Sequence, residues 1–307
     1  MKMNRRQKTV QRQLLQNEKL YIKDLKHQYA VSVAEVDKVI QGLLAREQTQ
    51  SVVYQMQFQL QLREQLTRIY GDMQTKNYDT MMQYLNGCYK ESFIGTIYDL
   101  QGQGVPLAFP VNQNQMTKAV VTDSKVSGGL YRRLGINVTD LKESIRVEIT
   151  RGIASEKSYE QIAKAIQKRS DVDYNKSLRI ARTEGHRIQQ SATLDAQHEA
   201  INRGADIKKQ WDATLDDVTR DTHRELDGTI IDVDDYFITS EGSKALFPSG
   251  FGDPSEDCNC RCCLLQRASW SIGEDRTKMD NQSKDLVTIN DKTYSGFKES
   301  YYEYIGE

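Results

Sequence analysis

The chain has 307 residues, of which 38% are apolar and 28% charged, and a mean hydropathy of −0.68. So low an apolar share suits long, solvent-exposed helices better than one tight globule. Lys and Arg number 42 against 43 Asp and Glu, a net charge of −1, which excludes a globally basic nucleic-acid binder but allows a local basic arm. No run of roughly 18 uncharged apolar residues occurs, so neither a membrane-spanning helix nor a membrane anchor is expected. The opening MKMNRRQKTVQRQLL lacks the apolar stretch of a secretory signal.

The charges separate along the chain. Residues 1–30 hold eight Lys/Arg, among them Arg5, Arg6, Lys8 and Arg12, against Glu18 and Asp24. Residues 205–260 hold fourteen Asp/Glu against five Lys/Arg. The basic stretch is either a contact for phosphate or an acidic protein surface, or a solvated helix face.

From Val33 to Ile69 apolar residues recur mostly every three or four positions without a proline, which predicts one long helix. With residues 1–32 this forms a long-helix arm over 1–70. Residues 71–138 contain eight glycines and the pair Pro106 and Pro110, which predicts an irregular connecting region with short helices near 76–86 and 124–133. Helix returns at Thr139. Leu141, Ile145 and Ile149 form a stripe that Gly152 ends, Ser158 and Gln161 form a capping box for a second helix, and 173–203 reads as a third. On that third helix Ala181, Gly185 and Ala192 are small, which suits close helix packing, and Gly204 stops it.

After Gly204 the period shortens. A strand over 206–214 carries Ile207 and Trp211. Asp216 or Asp217 caps a short helix running to Leu226, Asp227-Gly228 turns, and Thr229–Asp232 forms a second strand. Loops with Pro248 and Pro254 lead to the cysteine cluster, and 268–307 is a polar tail with late aromatics. The fold class is thus α+β: long N-terminal helices, a helical middle, and a small C-terminal α/β module over 139–267.

Four of the five cysteines, Cys258, Cys260, Cys262 and Cys263, fall within six residues, whereas a disulfide framework would spread them to close loops. Reduced thiols of a cytosolic chain fit better. In an extended segment Cys258, Cys260 and Cys262 share one side, and His223 is placed to complete a tetrahedral thiolate–imidazole set of the kind that holds structural zinc. The plain alternative is a group of buried thiols. The acidic cluster Asp216, Asp217, Asp221 and Asp227 around His223 offers Mg²⁺ binding or acid–base chemistry on one reading, and helix capping on the other. Arg182 is expected to tie its helix to an acidic residue of the β-module. G-x-S-x-G, P-loop and G-x-G-x-x-G motifs are absent, so no catalytic constellation stands out.

Taken in order, Arg182-Thr183-Glu184, Trp211, Asp216, Arg220, His223, Leu226-Asp227-Gly228, Phe237, Pro248 and Cys260-Arg261-Cys262 resemble the phage head morphogenesis family, the minor head proteins like the F protein of phage Mu. The likeness covers about 140–265. Val218 stands where the family has the first Arg of its D-x-R-x-R, and Cys258 lies close to the His of the Pro-Pro-x-His stretch common in relatives. The resemblance implies a non-enzymatic virion component, few per head, assembled in the host cytoplasm and acting near the portal vertex. It implies portal protein and capsid or scaffold components as partners, with double-stranded DNA contact and homo-oligomerisation as further expectations. The family domain also occurs fused to toxin domains.

Overall fold

The computed structural model describes residues 3–44, 52–122, 130–155, 157, 159–271 and 293–306. Its helices are α1 (Arg5–Leu44), α2 (Val52–Gly102), α3 (Gln113–Thr117), α4 (Leu130–Ala154), α5 (Tyr159–Asn202), α6 (Asp221–Glu225), α7 (Pro254–Asp257) and α8 (Tyr294–Ile305). The strands are β1 (Ile207–Asp212), β2 (Ile230–Ile231), β3 (Phe237–Ile238), β4 (Lys244–Ala245) and β5 (Cys263–Ala268). The α+β class holds: the helices are long, and the small sheet lies in the C-terminal part. Among the described residues no helix is long and apolar enough to cross a membrane.

The helices differ from the sequence expectation in where they break. The Val33–Ile69 pattern falls on two helices, α1 and α2, and residues 45–51 between them lie outside the described residues. The irregularity expected from residue 71 begins only after α2 ends at Gly102. Gly71 and Gly87 sit within that helix in open space, where each costs only about 1 kcal/mol against Ala. Gly95 is there for packing, since a Cβ would stand 2.4 Å from Val10 Cγ1 of α1. Likewise Gly152 does not stop α4. It lets Ile162 of α5 approach to where a Cβ would be 2.6 Å from Ile162 Cγ1. The second and third helices expected after residue 158 are one helix, α5, and both Ser158 and residues 124–129 of the expected 124–133 helix lie outside the described residues.

The chain forms two compact units. One comprises Lys19–Gln83 and Gly129–Ala181 and is all helical. Its core takes Leu25, Val36 and Ile40 from α1, Leu62 and Leu66 from α2, Ile145 and Ile149 from α4, and Ile162 and Ile166 from α5. The buried Tyr29 hydroxyl bonds Asp173 Oδ2 at 2.7 Å and meets Ser177 Oγ at 2.9 Å, so these three groups are matched to one another.

The other unit comprises Met1–Glu18, Tyr84–Gly128 and Arg182–Glu307. Its sheet has the order β2-β1-β5, antiparallel throughout, with Trp211 opposite Leu264. A separate β3–β4 hairpin flanks it. Every residue of β5 is buried, as a strand covered on both faces must be. Helix α8 packs Tyr294 and Phe297 against Tyr98 at ring separations of 5.2 and 5.1 Å. The start of α1 is a reciprocal capping box: Gln7 N donates to Asn4 Oδ1 at 2.9 Å and Asn4 N to Gln7 Oε1 at 3.0 Å. Asn4 and Gln7 side chains, together with Gln103 and Gln266, donate to the buried Asp99 carboxylate. Burial raises the Asp99 pKa above its ordinary value, and these four amides oppose that rise.

Candidate metal centre

The site is built on β1 and the short α6. Trp211 is fully buried in β1, and Gly228, at φ +80°, closes the turn that lets its N–H bond Trp211 O at 2.9 Å. The Asp227 carboxylate fixes the same turn by accepting from Ala213 N at 2.8 Å. This places α6 over the sheet with His223 pointing inward, 1% exposed. Its ring lies edge-on to Trp211 at 5.3 Å and stacks on Phe251 at 5.6 Å. Trp211 in turn meets Phe237 at 5.1 Å, so the imidazole is held in an aromatic slot.

His223 Nδ1 lies 3.6 Å from Cys260 Sγ and 3.5 Å from Cys262 Sγ. The three donor atoms stand within 4.8 Å of one another, and all three residues are buried. A tetrahedral ion with bonds of about 2.05 Å to nitrogen and 2.3 Å to sulfur has an N···S edge of about 3.6 Å. The spacing and the donor chemistry therefore fit a zinc-class cation. On the far side of the ring, Nε2 is 2.9 Å from Glu256 Oε2, and Glu256 is 5% exposed. The two face each other without hydrogen-bond geometry, and Nδ1 is the ring atom turned toward the sulfurs.

The flanking motif residues hold the thiol loop. Arg220, the N-cap of α6, donates through Nη2 to Cys258 O at 2.8 Å. Asp257 accepts from Phe251 N at 3.1 Å and Gly252 N at 2.7 Å, and its burial pushes its pKa up to about 6. Asp216 accepts two bonds from Arg261, at 2.5 and 2.6 Å, and a third from Thr219. Chiefly Arg261, with help from Thr219 and Val218 N–H, holds the Asp216 carboxyl well below its usual range. Within the thiol pair, a hydrogen bond from Cys262 holds Cys260 well below the usual thiol range, with His186 and His223 contributing. The proximity of Cys260, with burial, pushes Cys262 up.

Several sequence expectations change here. Asp216 and Asp217 do not cap α6, because Asp216 is taken by Arg261 and Arg220 occupies the N-cap. The alternation argument for the cysteines does not apply, because 258–262 is not a strand and Asn259, at φ +56°, reverses the chain between Cys258 and Cys260. Cys260 and Cys262 still converge with His223. Cys258 is half-buried and outside that group. Arg182 pairs with Glu18 of α1 at 3.0 Å and not with an acid of the β-module. Thr183 is buried, and Glu184, 2% exposed, pairs with Arg187, whose Nη2 donates to Ala119 O at 2.7 Å. Of the basic residues near the N-terminus, Arg5, Lys8 and Arg12 are exposed. Arg6 instead donates to Tyr98 O at 2.5 Å and lies 4.2 Å over the Tyr98 ring. Sequence reasoning missed Glu256. The signal was Asp253-Pro254, an N-cap followed by a proline at the first helical position, which turns Glu256 and Asp257 inward.

This arrangement defines a small α+β module clamped by thiols and imidazole. The Phage Mu protein F like protein family matches residues 143–265, which contain the whole site. Two curated relatives are similar over much of the chain. The chain is 30% identical to minor head protein GP7 of Bacillus phage SPP1 over 183 residues, 60% of this chain and 58% of that protein. It is 36% identical to the NAD(+)–arginine ADP-ribosyltransferase EFV of Enterococcus faecalis over 198 residues, 64% of this chain and 40% of that protein. The chain thus spans about half the length of these relatives. No solved structure matches.

Proposed function

We propose that this protein is a minor head protein of a tailed bacteriophage, a non-enzymatic virion part that acts in head morphogenesis. The observation that carries the reading is that the family match encloses the buried His223–Cys260–Cys262 group and the sheet around it. The ordered chemistry of the segment is therefore spent on holding its own core. In this reading a structural zinc ion sits among His223, Cys260 and Cys262, with Cys258 or another neighbour completing the set.

A metal-dependent hydrolase or transferase is less well supported. Two of the four acids it would use are engaged elsewhere: Asp216 with Arg261, and Asp227 with Ala213 N. As partners we propose the portal protein and capsid or scaffold components, with assembly in the host cytoplasm, a place near the portal vertex and self-association in the head. Double-stranded DNA contact through exposed Arg5, Lys8 and Arg12 is a further element of the proposal.

Mass spectrometry of purified virions, with a head map resolving the portal vertex, tests the main reading. The chain should be present in few copies beside the portal, and virions lacking it would refute the proposal. Removing residues 1–30 is a poor DNA test, because Asn4, Gln7 and Val10 are built into the fold. Charge reversal at Arg5, Lys8 and Arg12 should instead flatten the salt dependence of DNA binding, and an unchanged slope would remove the DNA element.

A further inference from the structure

His223, Cys260 and Cys262 supply three donors, one short of a closed tetrahedral site. The fourth corner falls on the side of a cavity of about 850 Å³ lined by His186, Cys258, Cys260, Arg220, Arg182 and Thr214, among others, all within one compact unit. Two of these residues carry suitable donors, His186 and Cys258.

Cys258, like His186, lies outside the group of three donors within 4.8 Å of one another. The left-handed Asn259 separates it from Cys260, and Arg220 Nη2 holds its carbonyl at 2.8 Å. His186, on α5, lines the same cavity. Its Nε2 lies 2.8 Å from Cys262 O. A carbonyl oxygen only accepts, so the ring proton is on Nε2 and Nδ1 keeps its lone pair. His186 is thus tied to the thiol loop through the Cys262 carbonyl, while His223 faces the two sulfurs through Nδ1.

We infer that His186 is the fourth ligand and that the centre is a Cys₂His₂ zinc site closed by Nδ1 of His186, a residue of the long helix. This rests on the metal reading given above. Closure requires the His186 ring to advance toward the trio, and the cavity beside it provides the space and an entry path for the ion. The site would then join α5 to the thiol loop through the ion.

The test uses the full chain, zinc competition against a chromophoric chelator, and the cobalt(II)-loaded protein. In H186Q the Gln amide can keep the bond to Cys262 O but offers no Nδ1, so zinc affinity should fall by about tenfold or more. C258S should stay within about threefold of wild type and keep the full sulfur-to-cobalt charge-transfer intensity of two thiolates. Should H186Q misfold by circular dichroism, H186C keeps the inference testable. It restores a ligand, and its cobalt complex should gain a third thiolate band. Loss of affinity and of charge-transfer intensity in C258S, with H186Q unaffected, would overturn the inference in favour of Cys258. Full affinity in both variants would overturn it in favour of a water-completed site. Wild-type protein that takes up no stoichiometric zinc would instead defeat the underlying metal reading.

Discussion

Replacing His223 by Ala removes three things at once. The Nδ1 donor at 3.5 and 3.6 Å from the sulfurs is lost, the slot between Trp211 and Phe251 is emptied, and Glu256 is left with only a 3.4 Å contact from Thr222 Oγ1. Emptying a buried aromatic-sized slot costs about 3 kcal/mol, and an under-satisfied buried carboxylate about 1–3 kcal/mol more. That portion should appear even in chelated protein. Zinc in thousandfold excess over its dissociation constant adds about 4 kcal/mol to wild type. In H223A this increment should shrink below about 1 kcal/mol. The assay is urea unfolding followed by tryptophan fluorescence, with zinc or with a chelator. Both tryptophans, Trp211 and Trp270, lie in the unit that holds the site, so the signal reports that unit. Wild-type stability that ignores zinc, or an H223A variant that keeps the full zinc increment, would refute the reasoning. A variant that melts like wild type yet loses an activity would point to the enzyme reading.

Three other outcomes follow from the packing and the titrations. G95A forces a Cβ to 2.4 Å from Val10 Cγ1; overpacking of about 1–3 kcal/mol set against a helix gain of about 1 kcal/mol leaves a net loss, and V10A should cost about 1 kcal/mol less in the G95A background than in wild type. Lys209 is fully buried, with Nζ donating to Val233 O at 2.7 Å and Leu246 O at 2.9 Å, and burial lowers its pKa from 10.5 to about 8. Between pH 8 and 10.5 the unfolded chain holds this proton and the folded one does not, so stability should rise with pH across that window and fall away as pH drops through 8. We expect roughly 1–2 kcal/mol, below the full shift because the two carbonyls favour the ammonium, and K209M should abolish the slope in paired urea titrations at pH 8 and 9.5. Alkylation of native protein at pH 8, read by peptide mass spectrometry, should label half-buried Cys258 ahead of Cys88 and Cys263, because burial pushes both of those up to about 12; early labelling of Cys88 would contradict the packing of α2.

Much of the β-module was legible because its signals are local. Ile207 and Trp211 alternate, Asp227-Gly228 can only turn, and a thiol cluster with one upstream histidine points to a shared centre. The helix boundaries were not legible, because a glycine reads the same whether it ends a helix or admits a neighbour. Gly95 and Gly152 are explained by Val10 and Ile162, which are distant in sequence. The outer parts of the site were hidden for a similar reason. Glu256 and His186 reach the centre only through α7 and the flank of α5, and no short-range pattern announces such a meeting. The cysteine alternation reached two of its three ligands on a premise that Asn259 breaks.

The Asp99 node has a consequence for synthesis. It joins Asn4 and Gln7, among the first residues described, to Gln266 of the final strand. The all-helical unit is complete once residue 181 has been made, whereas the other unit has its earliest segment waiting for β5. On the ribosome the helical unit can therefore settle first, and the other closes around a very long sequence separation as the last strand emerges. A polypeptide cut short before β5 would leave Asp99 without one of its four amide donors, Gln266, and β1 without its longer partner strand.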